Sequence, residues 1–463
     1  MSDSLQVVVK QTIEAKLESD RARREAIAAL DSAERSNRRA ERNYRLAEER
    51  RKEADQERQN VIEQMKLTAD ANNEAARLYY VALCNTLAMK AKNQYEDKSL
   101  NLRLAKTACE MNRKGGADTK NADLYDAMLY AMEQNKMIRP HSIDGGIAKS
   151  MSVATDGTIN TFDENGSIKK YSASSDGSIS ITKQLTDFES KVPMDNAVFA
   201  TPSIIACSAK DRKSYLIDLD KNRRTKLPID DDYVISASAS PDNKKCAVAY
   251  TYGKVIVLPS DGSPVPTAEK NFGAMITDIY HDGNNVYVLT HDGGLLKWTP
   301  LADGVKTILP ASGSKKAFCM TEIPDKKMLA VCFSDGGVQF VNLGDDNLGE
   351  RIAGGHSKIE NAVYSPKTGI LALSSADKRI SLFNIHDLKA KPLVIEEHSL
   401  GNSKVKSLAF NDKGVLFALT DDNSLRHWET DPDKYAAALS KMNLAPLSDT
   451  EWDLILGRVF AQK

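Results

Sequence analysis

Several things are scarce in this 463-residue chain, and each scarcity excludes a class of protein. Cysteine occurs six times, at Cys84, Cys109, Cys207, Cys246, Cys319 and Cys332, with no CxxC pair and no Cys/His cluster at zinc spacing. A disulfide-stapled or zinc-stapled fold is therefore not expected. Four of the six stand in apolar, strand-like runs such as KCAVAY and AVCFS, where a reduced thiol acts as a small hydrophobe. No apolar run approaches the roughly 20 residues that span a bilayer, and VFATPSIIACSA, 198–209, is short and interrupted. The first residues, MSDSLQVVVKQTIEAK, lack the basic start and long apolar core of a signal peptide, so a cytoplasmic protein is expected. Charge of one sign is also missing, since 63 Lys and Arg meet 64 Asp and Glu, and no global pull toward nucleic acid or anionic membrane follows.

Catalytic signatures are missing as well. The chain has no GxxxxGK phosphate loop, no GxGxxG after a strand, no HExxH and no GxSxG elbow. Its seven histidines show no spacing that suggests a metal site or a nucleophile and base pair. DENGSIKKYSASSDG, 163–177, has the flavour of a calcium loop but lacks the alternating oxygen ligands such loops require. Asp156, Asp261, Asp282, Asp292 and Asp335 each precede glycine and read as turn-formers, because tight hairpins demand positive φ. No enzyme, cofactor or metal is expected on these grounds.

What is present changes sharply along the chain. From Leu5 to Met65 there is neither proline nor glycine, and Ala, Glu and Arg dominate, so residues 1–72 read as one long helix. A three-and-four stepping gives the seam Leu30, Ala33, Asn37, Ala40, Tyr44, Ala47, Arg51, Ala54, Arg58, Val61, Met65. This is a heptad pattern, thin because alanine buries little area, and it predicts a coiled coil that needs partner helices. RSNRRAERNYRLAEERRK reads as a solvated face of opposite charges at helical spacing. The alternative, an arm for nucleic acid or a membrane surface, needs a basic excess that the glutamates largely cancel. Residues 73–135 carry apolar residues at i, i+3, i+4 and i+7 in three segments, broken by QYED and KGGAD, and predict a small helical cap.

From about 136 to 430 the period becomes two. ENGSIKKY, KDRKSYLI, TYGKVIVL, HDGGLLKW, SDGGVQFV, ADKRISLF and DDNSLRHW recur every 40 to 46 residues or so, each a turn followed by a strand. Seven units of about 42 residues, each with room for four strands, are the period of a seven-bladed β-propeller. ETDPDKYAAAL, which follows the last unit, is helical in pattern, so the seventh blade lacks its own fourth strand. KMIRPHSI, 136–143, is the expected clasp that supplies it, and residues 431–463 form a helical tail.

The segment resembles a degenerate WD-repeat propeller. GGHSKIENAVYSPKTGILALSSADKRISLFNI, 354–385, carries Gly355 and His356 as the GH pair and Phe383 at the tryptophan position, which Trp298 and Trp428 hold in two other blades. SASASPDNKKCAVAY resembles the SPDG turn, and the likeness covers about 290 residues. The flanks, AARLYYVALCNTLAMKA before the propeller and APLSDTEWDLILG after it, are similar to those of coiled-coil and WD-repeat proteins of Bacteroidetes-type bacteria. In those proteins a caspase-like protease, an NTPase module or a membrane helix stands before the coiled coil. The resemblance implies a recognition scaffold or sensor that binds a protein or peptide, with the effector enzyme on a separate protein. It also implies assembly through residues 1–70, with itself or with a partner coiled coil. As third-strand aromatics, Trp298, Phe383 and Trp428 are expected to pack between blades rather than bind a ligand.

Overall fold

The computed structural model describes residues 2–93, 95–117, 120–174, 178–260 and 263–457. The first helix, α1, runs unbroken from Ser2 to Ala91. No Gly or Pro stops it, so it continues through residues 73–91, beyond the end of the long helix read from the sequence. Two compact units result, Met1–Leu78 and Tyr79–Lys463. In the first, the seam positions Leu30, Ala33, Ala40, Tyr44, Ala47, Val61 and Met65 are all exposed.

In the second unit the last turns of α1 pack with α2, Lys98–Lys114, and α3, Ala122–Gln134. The chain breaks fall where polar caps satisfy free helix donors: Asp97 accepts from the Ser99 amide, and Asn121 from Asp123 and Leu124. Leu87, Leu104, Leu124 and Met128 are wholly buried in this cap. The cap shares one apolar cluster with blades 6 and 7 and with two helices of the tail, α4, Pro432–Lys441, and α5, Asp449–Leu456.

Between cap and tail lie seven four-stranded antiparallel sheets. Each strand that follows a repeated turn is the third of its blade: Ile168–Ala173, Ser214–Asp218, Lys254–Pro259, Leu295–Thr299, Gly337–Asn342, Arg379–Asn384 and Ser424–Glu429. The turns themselves share one backbone conformation. Gly166, Arg212, Gly253, Gly293, Gly336, Lys378 and Asn423, in corresponding places, all have positive φ, from 61° to 105°. Close approach also requires glycine at the four that carry it, most tightly where a Cβ on Gly293 or Gly336 would stand 2.2 Å from the carbonyl oxygen of Lys315 or Gly355.

The aspartates beside these turns hold backbone and hydroxyl donors. Asp292 accepts from Thr290, Asp335 from the Gly337 amide, and Asp422 from Thr420 and Ser424. Asp156 and Asp282 do the same in turns between first and second strands, whereas Asp261 lies outside the described residues. In the calcium-like segment, Asp163 accepts from the amides of Asn165 and Ser167, both at 2.9 Å, while residues 175–177 lie outside the described residues.

The inner strand of every blade carries a register shift at its start, at 148/150, 194/196, 234/236, 276/278, 317/319, 359/361 and 405/407. In five of the blades the residue after the bulge bonds to the neighbouring blade. Asn196 donates to the Val234 carbonyl at 2.6 Å, Ser236 to Asp278 at 2.6 Å, Asn361 to the Val405 carbonyl at 3.2 Å, and Ser407 to the Met151 carbonyl at 3.2 Å. The other oxygen of Asp278 accepts from the Met320 amide at 2.7 Å, so one carboxyl links blades 3, 4 and 5. Burial pushes that carboxyl up to about 6.

Closure depends on the clasp within 136–143. His141 and Ser142 pair with Leu425 and Ser424, as the outer strand of blade 7. Two residues make a short strand, and Asn423 reinforces it: its amide nitrogen donates to the Ile143 carbonyl at 2.9 Å and its side-chain oxygen accepts from the Ala148 amide at 2.8 Å. Asn423 thus ties the incoming chain, blade 7 and blade 1 together. Asn423→Ala should lower stability by about 2 to 3 kcal/mol, through buried hydrogen bonds left unmade and a strained positive φ. Asn243→Ala, at φ 54° but without such a bridge, should cost about 1 kcal/mol. Thermal or urea unfolding of both variants measures the difference.

Candidate functional site

The inner strands end on the propeller face that carries the turns between first and second strands and between third and fourth. Val153, Tyr364 and Phe410 hold corresponding positions near the ends of the inner strands of blades 1, 6 and 7, and each stays half-buried. Together with Ala154, Pro366 and Lys367 they line a groove of about 530 Å³. A second cleft of about 720 Å³ shares Ala154 and Thr155 with it and runs across the turns of blades 1 to 3. Its edges are polar, with Lys170, Lys183, Lys221, Asp218 and Asn243. The two form one depression with an aromatic end and a charged end.

The depression is built from locked turns. Asn411 accepts from the amides of Lys413 and Val415 at 3.0 and 2.9 Å. Asp218 accepts from Asp220 and Lys221, both at 3.1 Å, while the Lys221 ammonium reaches the Ser260 carbonyl of blade 3 at 3.0 Å. Asn160 donates to the Pro202 carbonyl at 3.0 Å, from blade 1 to blade 2. Hydrogen bonds from the Thr158 amide and hydroxyl hold the Asp156 carboxyl below its ordinary range. Burial, with Asp325 beside it, pushes the Tyr364 phenol well up, so it stays protonated as a donor. Rigid turns of this kind place donors and apolar surface without loss of order on binding, which suits a peptide or a protein loop.

The sequence-read aromatic positions are buried inside the propeller and do not line the depression. Trp298 is buried, edge-on to Phe272 at 6.0 Å between ring centres. Phe383 is buried among blades 5 and 6, and Trp428 in the cluster that blade 7 shares with the cap. His356 is exposed on the connection from blade 5 to blade 6. On α1, Arg38 pairs with Glu34 at 3.7 Å and Lys52 with Glu48 at 3.3 Å, so the basic residues there have acidic neighbours.

A further cluster could not be read from the sequence, because its members come from three separate stretches. Where α3 meets blade 7, a pocket of about 170 Å³ is lined by Glu133, Arg139, His398, Ser399, Arg426, His427 and Trp428. His398 Nε2 lies 3.5 Å from Asp126 and 3.9 Å from Glu133, and Lys92 pairs with Asp126 at 2.9 Å. Burial pushes the Glu133 carboxyl up to about 7; Ser399, Trp428 and the Arg426 charge oppose the rise, and Asp126 adds to it. Burial also lowers His398 and His427, which favours neutral imidazoles. The cluster sits among fastenings of cap to propeller: the Tyr125 hydroxyl donates to the Glu429 carbonyl at 2.7 Å, and the Glu429 amide to the Tyr435 hydroxyl at 2.8 Å. Arg103 holds Glu451 of α5 through two bonds of 2.8 and 2.6 Å.

Burial pushes the Cys207 and Cys246 thiols up to about 12, which leaves them protonated. Among the described residues, no group of three or more His, Cys, Asp or Glu is placed to hold a metal ion, and no helix is long and apolar enough to cross a membrane.

The Glu133 carboxyl titrates higher in the folded chain than in the unfolded one, so its stabilising share is complete at acid pH and is lost as pH rises through about 7. Glu133→Gln cannot ionise. The melting temperature of the variant minus that of the parent should therefore be larger at pH 8 than at pH 5, and a difference that does not change with pH would show that folding leaves the titration of Glu133 unshifted. Compared with known protein families and with curated proteins, the chain matches none.

Proposed function

We propose that this protein is a non-enzymatic interaction scaffold or sensor, whose propeller receives a protein or peptide on the face described above and whose N-terminal helix mediates assembly. The observation that carries the reading is the continuous depression from Phe410 and Tyr364 to Lys183 and Lys221. Its aromatic end gives apolar surface to an anchor side chain, and its turn-held polar end gives direction. Propellers commonly serve as such platforms, and the repeated turns resemble WD-repeat blades at Trp298, Phe383 and Trp428. The association with Bacteroidetes-type systems, in which the effector is a separate enzyme, belongs to the same reading. Free thiols, five of them buried, suit a reducing compartment.

The acid pairing of Arg38 and Lys52 weighs against the alternative of a nucleic-acid or membrane arm. Capture from the native cytoplasm with the whole chain, followed by mass spectrometry, identifies the partner. With that partner in hand, Phe410→Ser together with Lys367→Asp should weaken binding at least tenfold, while Arg212→Glu on the opposite face should leave it unchanged. Equal binding by both variants would remove the groove from the reading.

A further inference from the structure

The exposed helix of the first unit carries more information than its thin seam. With Leu30, Ala33, Asn37, Ala40, Tyr44, Ala47, Arg51, Ala54, Arg58, Val61 and Met65 as the a and d positions, the flanking e positions are Glu34, Glu41, Glu48, Asp55 and Ile62. The g positions are Ser36, Asn43, Arg50, Glu57 and Gln64. Four successive e positions are thus acidic, while the g positions five residues before them, Ala29, Ser36, Asn43 and Arg50, are neutral or basic. The seam is wholly open: Leu30 is 65%, Tyr44 73% and Met65 67% exposed.

Two coils can pair in either direction, and the columns choose between them. An antiparallel pair sets e against e, and the register that overlaps these columns brings Glu34 against Asp55 and Glu41 against Glu48. A parallel pair sets e against g five residues earlier, so Glu41 meets Ser36, Glu48 meets Asn43, and Asp55 meets Arg50. The seam agrees with the columns. In a parallel pair in register Asn37 meets its own copy and both amides find partners, whereas an antiparallel pair would set Asn37 against an alanine and leave its amide unpaired. Tyr44 likewise meets Tyr44. Arg51 and Arg58 can extend their heads to water while their stems cover the alanine layers. Glu57 of one copy stands beside Arg58 of the other. Some acids are also held on their own helix, as Glu34 with Arg38 and Glu48 with Lys52 show.

We propose that the occupant of this seam is a second copy of the same chain, aligned parallel and in register from Leu30 to Met65. The inference rests on the reading of α1 as an assembly element and names its partner. Small alanine layers bury little area, so the pair is weak on its own and forms at raised protein concentration. Two propellers on one stalk would then engage a repeated ligand with an effective concentration that a single propeller lacks.

The test uses the full chain with single cysteines at two d positions, Ala33→Cys and Ala54→Cys, which stand about 31 Å apart along the helix. The native thiols do not compete, because five are buried and Cys319 is half-buried. In a glutathione redox buffer each variant alone should form a disulfide-linked dimer, since a parallel pair in register sets every d residue beside its copy. Arg35→Cys, at an f position, should not. Sedimentation of the unmodified chain should show a monomer and dimer equilibrium. Crosslinking of only one d variant, of neither, or of Arg35→Cys at an equal rate would overturn the parallel pair. A chain that stays monomeric in sedimentation would overturn the second copy. The proposed scaffold role would still stand if the groove variants lost their partner, because that capture does not depend on α1.

Discussion

The structure depends on the closing of a ring. Each blade has two apolar faces and is stable only between neighbours, so a missing blade edge would expose the faces beside it as well as its own strand. The closing pair is small, since His141 and Ser142 form only a two-residue strand. Asn423 makes it sufficient, because one side chain satisfies the carbonyl of Ile143 and the amide of Ala148 at once. The same residue occupies the positive-φ position that glycine fills in four other blades. In blade 7 a turn residue has therefore become the joint of the ring.

Inside the ring the blades are tied by polar side chains placed by backbone irregularity. A bulge at the same place in all seven inner strands is a repeated structural device, and in five of them the Asn, Ser or Asp side chain that follows it reaches across to the next blade. Asp278 is the most connected of them, with partners on blades 3, 4 and 5. Buried carboxyls persist only where donors surround them, and here the donors are two backbone amides and a hydroxyl. The ring is stiff where these bonds lie, and that stiffness carries through the inner strands to the turns around Phe410 and Tyr364. A preformed face is the consequence.

The cap and tail add a second layer to this economy. Tyr125 and Tyr435 satisfy both backbone groups of Glu429 as blade 7 ends, and Arg103 joins α2 to α5. The helices shield the blade that had to be completed by a foreign strand. Glu133, buried beside Trp428, shows that this shield includes an ionisable group near its own midpoint at neutral pH.

The sequence by itself determined the long helix, the number of blades and the place of every third strand. These follow from local rules: absence of breakers in α1, period-two apolar runs, and turns that need a left-handed residue. It also placed the clasp, because a seventh unit that runs into helix leaves one strand to be found upstream. Local rules do not decide which distant stretches meet. Glu133, His398 and Arg426 come together only because α3 lies against blade 7. Val153, Tyr364 and Phe410 share a groove only because blades 6, 7 and 1 adjoin after closure. The seven bulges are invisible in sequence, since an extra residue in a strand costs no change of composition. The absence of breakers carries α1 to Ala91, but only tertiary packing decides that Leu83, Leu87 and Ala88 of its last turns enter the core of the cap. Period and turn chemistry act over a few residues and can be read in order along the chain; contact across the ring exists only once the ring has closed.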